Sequence, residues 1–136
     1  MSNKELTIQN HLESLLDTGI DHIMVINERG RVESMISGSD ICLSREKQEI
    51  FCMGIRLQQS LLQEFDDEFG PVNHFVIHRR DVKVVSVPFG SNNLLLVMGN
   101  DVGHKFVVRK IEEMRDFSNF SMLELEQLRA EVVANG

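Results

Sequence analysis

Residues 72–98 read VNHFVIHRRDVKVVSVPFGSNNLLLVM, and this stretch decides the fold. It holds three apolar runs, VNHFVIH (72–78), VKVVSVP (82–88) and LLLVM (94–98), separated only by RRD and FGSNN. Each run has the length and the β-branched content of a strand. Connections this short cannot carry a crossover, so the three strands are antiparallel neighbours. Gly70-Pro71, just upstream, stops whatever precedes it, because proline disfavours helical geometry in the residue before it.

What precedes it is a long amphipathic segment. Ser44 is an N-cap, Glu46 sits where a helix dipole favours negative charge, and the spacing predicts a helix from about 44 to 69. Ile50, Leu57, Leu61, Phe65 and Phe69 form one stripe, while Phe51, Ile55 and Leu62 form a second, displaced by roughly 100°. That apolar face is wider than packing on one sheet surface requires. Either the helix is deeply docked, or it is shared between its own core and a second subunit.

Further upstream, DHIMVIN (21–27) is nearly all apolar, as a central strand covered on both faces would be. ERG (28–30) is a turn with Gly30 available for positive φ, and RVESMI (31–36) alternates as the second strand of a hairpin that SGSD (37–40) closes. Residues 2–17 read as a helix, with Ser2 and Glu5 spaced as a capping box and Gly19 at its end. Downstream, HKFVVRKIEEMRDF (104–117) is amphipathic through Val107, Val108, Ile111 and Met114. SMLELEQLRAEVV opens with a second capping box, Ser121 to Glu124. The order α-β-β-α-β-β-β-α(-α) describes an α+β protein with one five-stranded antiparallel sheet flanked by helices. Residues 1–117 form the domain, and 118–136 a helical extension packed on it or on a partner.

The 136 residues suit one domain with an adequate core. Hydrophobic content is 42% and aromatic content 6%, without Trp or Tyr, so Phe, Leu, Ile, Val and Met must fill the interior. Formal charge is −7 and no cationic run exceeds Arg79-Arg80, which argues against a nucleic-acid backbone as partner and favours a basic protein surface. Cys42 and Cys52 have no CxxC or zinc spacing and read as reduced thiols of a cytoplasmic protein. Neither a signal-peptide core nor an apolar run of about 20 residues is present, so no membrane span is expected.

Few segments carry the marks of chemistry. GNDVGHKF (99–106) opens a helix after a strand but departs from a phosphate loop: three residues separate the glycines, His104 intervenes, and Phe106 takes the hydroxyl position. His74 and His78 share a strand face about 13 Å apart, too far for one ion. They suit an edge strand, with a pH-sensitive interface as their alternative use. No GxSxG or Cys–His arrangement supports a nucleophile. The acidic run EFDDEFG (64–70) lacks the ligand alternation of an EF-hand. Glu64, Asp67 and Glu68 share one helical face, and at a helix C-terminus each opposes the dipole by about 0.3–1 kcal/mol. A compensating cation is expected there, from Arg79, Arg80 or a basic partner.

The stretch VKVVSVPFGSNNLLLVMGNDVGHKFVVRKIEEM (82–114), with the hairpin IMVINERGRVESMI, resembles the roadblock family of dynein-light-chain-like domains. There a strand ends in proline and a short glycine turn, a second apolar strand follows, and a closing helix carries basic residues. VINERGR, EFDDEFGPV and VPFG also resemble an uncharacterised family of small archaeal proteins. The roadblock resemblance implies a profilin-like sheet and a non-catalytic homodimer that scaffolds or regulates a small GTPase, without a cofactor or metal. Phe51, Ile55, Gln58 and Leu62 on the helix, with His74, Val76 and His78 on the strand at 72–78, are the candidate dimer contacts. Glu64, Asp67, Glu68, Arg79 and Arg80 are the candidate partner-binding residues. The alternative is a small-molecule sensor of the profilin-like, PAS or GAF kind, and a third is a metal-dependent hydrolase built on the acidic run. The first predicts a dimer, the second a co-purifying ligand, and the third a stoichiometric metal.

Overall fold

A computed structural model describes residues 10, 13, 16, 19–37, 43–113 and 115. The expected helix at 2–17 lies largely outside them, as do Cys42, the end of the helix at 104–117 and the whole of 118–136. The described elements are β1 (Ile20–Ile26), β2 (Val32–Ser37), α1 (Arg45–Gln63), α2 (Asp66–Phe69), β3 (Phe75–His78), β4 (Lys83–Phe89) and β5 (Asn92–Met98). A further helix, α3, covers 105–113.

The strands form one antiparallel sheet in the order β2-β1-β5-β4-β3. The hairpin and the three-stranded meander are joined by β5, which inserts beside β1 in the register Ile26↔Asn93 to Ile20↔Met98. Period-two alternation then divides the core. Ile23, Val85, Val87, Leu94 and Leu96 face α3 and its Val107, Val108 and Ile111. Met24, Ile26, Val84 and Leu95 face Cys52 and Ile55 of α1. β1, β4 and β5 are thus covered on both sides, which is why their sequences are almost continuously apolar.

The strand limits shift slightly from the sequence reading. β3 begins at Phe75 instead of 72, and the β4–β5 turn shrinks to Gly90-Ser91, with Gly90 at φ 64°. In the β1–β2 turn, Asn27 Oδ1 accepts from the backbone N–H groups of Arg29 and Arg31 at 2.9 and 3.1 Å. Gly30, at φ 78°, lies so close to α1 that an added Cβ would stand 2.9 Å from the Met53 Cα.

The larger correction concerns the long helix, which does not run unbroken to 69. α1 ends at Gln63, where the Glu64 N–H reaches back to Leu61 and Leu62, and Phe65 leaves helical geometry at φ −106°, ψ 13°. One further turn, α2, follows before Gly70 at φ 83°. The path of α1 explains the break. Its first turns flank Gly30 and Val32 of the hairpin, and Cys52 and Ile55 sit on β1 and β5. Arg56 and Gln59 contact Asn93 of β5, which bonds Ser86 of β4, and Ser86 is in register with Phe75 of β3. At 1.5 Å per residue, the span from 45 to 59 covers about 20 Å, close to four strand spacings. α1 therefore crosses the strands from β2 toward β3, and beyond Gln63 it has run out of sheet to pack on.

Candidate interaction surface

The two stripes of the helix have different fates. Cys52, Ile55 and Gln59 face the sheet at 0%, 3% and 1% exposure, whereas Ile50, Met53, Leu57 and Leu61 lie on the outer side at 58–70% exposure. Their spacing of three, four and four residues aligns them into one ridge. Phe65 and Phe69 continue it past the break with their rings 6.3 Å apart, and Phe69 is 85% exposed. Scattered exposed leucines are ordinary, but an aligned apolar ridge marks an interaction surface.

The expected contact residues are divided by this geometry. Ile55 is buried and Phe51 half-buried against β1 and β5, so both are used within the chain. Gln58 is exposed and Leu62 half-buried, one turn apart on the same flank of α1. Val76 packs partly against the α3-side core, His78 is exposed at the end of β3, and His74 precedes that strand, half-buried. β3 is the last strand of the sheet, and its outer edge has no neighbouring strand among the described residues. An unpaired edge is a template for a further strand.

The acidic run is relocated by the helix break. Asp66, Asp67 and Glu68 fall in the single turn of α2, not in the last turn of a long helix, whereas Glu64 is the C-cap of α1 and still opposes its dipole. The run has no ion-pair partner among the described residues. Among the described residues Arg45 pairs with Glu49 at 3.6 Å, whereas Arg79 and Arg80 make no ion pair with the run. Instead, the carbonyls of Arg79 and Arg80 accept from Asn100 Nδ2 at 2.8 Å, leaving both side chains exposed. Asp66 Oδ1 is shielded from solvent without a donor.

Near β3 a second charged group gathers that the sequence spacing does not reveal. The His74 and His104 rings lie 5.9 Å apart, and Lys83, buried on β4, donates its Nζ proton to the Val102 carbonyl. Burial depresses the His104 pKa, and Lys83, His74, His78 and Lys105 depress it further. The unfolded chain then binds the proton more readily, so stability is full above the ordinary histidine pKa and falls as pH drops toward the folded value. His22, depressed by burial and partly restored by Asp21, contributes with the same sign. The thermal midpoint is expected to fall between about pH 7.5 and 5.5, and His104→Asn to make that fall shallower; an unchanged slope would remove His104 as a source.

The interior also holds more polar chemistry than the sequence implies. Arg56 Nη1 donates to Asn93 Oδ1 at 2.5 Å, and Asn93 Nδ2 donates to Ser86 Oγ at 3.1 Å and Gln59 Oε1 at 3.4 Å. In the sequence Asn93 reads as part of the FGSNN turn, and only its place on β5 under α1 reveals its role. A cleft of about 340 Å³ opens between Gly30–Val32 and Arg45, Gln48, Glu49 and Met53. Among the described residues no group of three His, Cys, Asp or Glu is placed to hold a metal, and no helix is long and apolar enough to cross a membrane. Burial pushes the Cys52 thiol up to about 11, making it a core group.

No protein-family model and no curated protein matches the sequence. Solved structures do match. An MglB solved in a tetrameric arrangement superposes with a TM-score of 0.68 at 11% identity, over 85% of this chain and 87% of its own. The gliding protein MglB of Thermus thermophilus gives 0.66 at 11% identity over the same shares. A Roadblock/LC7 domain from Streptomyces avermitilis gives 0.60 at 12% identity, over 77% of this chain and 87% of its own. These bacterial structures lend nothing to the archaeal resemblance. Superposition over most of both chains shows the fold: the chain has the Roadblock/LC7 fold.

Proposed function

We propose that the protein is a cytoplasmic, non-catalytic interaction module that works as a homodimer and scaffolds or regulates a small GTPase. One observation carries the dimer: α1 crosses the sheet toward β3, whose outer edge is unpaired among the described residues. A two-fold axis through that edge pairs β3 with its copy in antiparallel fashion and extends the sheet. The two α1 helices then lie on the same face and pass each other near the axis, bringing Gln58 and Leu62 toward the partner. The outer ridges of Ile50, Met53, Leu57 and Leu61 do not meet in this arrangement. They face outward side by side, a double apolar surface for a further protein. A buried, reduced Cys52 suits a reducing compartment. The Roadblock/LC7 fold and the tetrameric MglB neighbour support self-association, and the family resemblance supplies the GTPase as partner class.

Sedimentation equilibrium at micromolar concentration is expected to give twice the 15.6 kDa chain mass. A monomer persisting to tens of micromolar would overturn the reading.

A further inference from the structure

Charges without an ion-pair partner among the described residues flank β3 in a particular way. Gln59 is linked through Asn93 to Ser86, which is in register with Phe75, so α1 leaves the sheet at the Phe75 end of β3. Glu64, Asp66, Asp67 and Glu68 follow directly on the end of α1, ahead of Phe75. Arg79 and Arg80 occupy the opposite end, in the turn that hands β3 to β4, with the Arg79 N–H bonded to the Val82 carbonyl. The three residue steps of β3 place its two ends about 10 Å apart. Among the described residues no ion pair joins the two groups within one chain.

We infer that the acidic run of one copy takes its counter-cations from Arg79 and Arg80 of a second copy. Antiparallel pairing about a two-fold axis sets the end of one β3 against the beginning of the other. The same operation lays the arginine turn of each chain beside the acidic run of its partner, twice per dimer. A shifted or parallel pairing instead sets like charges together. Arginine is the cation suited to such a contact, because its planar guanidinium meets a carboxylate in paired hydrogen bonds. Exposed ion pairs add little affinity singly, so their effect here is to choose the partner and the register. This rests on the dimer proposed above.

The test uses charge reversal on the full chain, in two variants: Arg79→Glu with Arg80→Glu, and Asp67→Lys with Glu68→Lys. Each variant alone opposes like charges at both contacts, and its dimer dissociation constant is expected to rise about tenfold or more. Mixed, the two chains are complementary at both contacts, and the heterodimer is expected to recover to within about threefold of wild type. Differently tagged chains and native mass spectrometry read the species, with thermal midpoints confirming that both variants fold. A monomeric wild type would sink the dimer itself. A dimeric wild type whose variants self-associate unchanged would overturn only the charge pairing. Weakened variants that fail to rescue each other would also overturn it and assign the acidic run to a different, basic protein.

Discussion

Gly30→Ala is expected to destabilise the protein by about 2–4 kcal/mol, from two penalties that act together. The first is conformational: Gly30 sits at φ 78°, where a side chain strains the backbone. The second is steric: the new Cβ would stand 2.9 Å from the Met53 Cα, a backbone atom in the middle of α1 that cannot swing aside. Relief requires the hairpin and the helix to separate, which loosens the contact of Cys52 and Ile55 with β1. Gly90→Ala is the control. Its φ is 64°, but nothing lies within 4 Å of its added Cβ, so it bears the conformational penalty alone, roughly 1–2 kcal/mol. Urea unfolding at fixed protomer concentration measures both, and equal losses at the two positions would refute the steric contribution.

Asn93→Leu is expected to cost about 3–5 kcal/mol although leucine is the more hydrophobic residue. Asn93 is fully buried and serves Arg56, Gln59 and Ser86 at once. Removing its amide leaves Gln59 and Ser86, at 1% and 0% exposure, with polar atoms that water cannot reach. Arg56 is half-buried and can turn its guanidinium outward, so its share is smaller. Replacing Gln59 by Leu and Ser86 by Ala in the same chain removes the orphaned groups and should return a large part of the loss. If the triple variant is no more stable than Asn93→Leu, the network does not work as a unit.

The sheet is legible in the sequence because its strands are short, apolar and separated by turns too brief for anything but antiparallel pairing. Its order is not. Nothing within 92–98 announces that β5 lies beside β1, since that pairing joins distant segments and leaves no local mark. The end of α1 escapes sequence reading for a definite reason: Phe65 and Phe69 keep the helical period while the carboxylates between them tolerate a helix. The break comes from the edge of the sheet, which periodicity does not contain. Likewise the two apolar stripes can be counted, but which faces inward depends on the direction of α1 across the strands. The charge pattern at 64–68 is visible while its placement is not, because no local signal marks that Glu64 closes one helix and Asp66 opens a separate turn.

The position of β5 also governs the order of events during folding. Ile20 pairs with Met98 and Ile26 with Asn93, so the centre of the sheet closes only when the two halves of the chain meet. On a ribosome the β1–β2 hairpin emerges long before β5 and must wait with one edge of β1 bare. A two-stranded ribbon is marginal in water, so it gains lasting structure only after residue 98 has left the exit tunnel. Loop closure precedes the reward of the central pairing, and refolding is expected to be slow for a chain of this size. Until then, the apolar side chains of IMVI and LLLVM are accessible to chaperones, and this interval is when the chain is most exposed to aggregation.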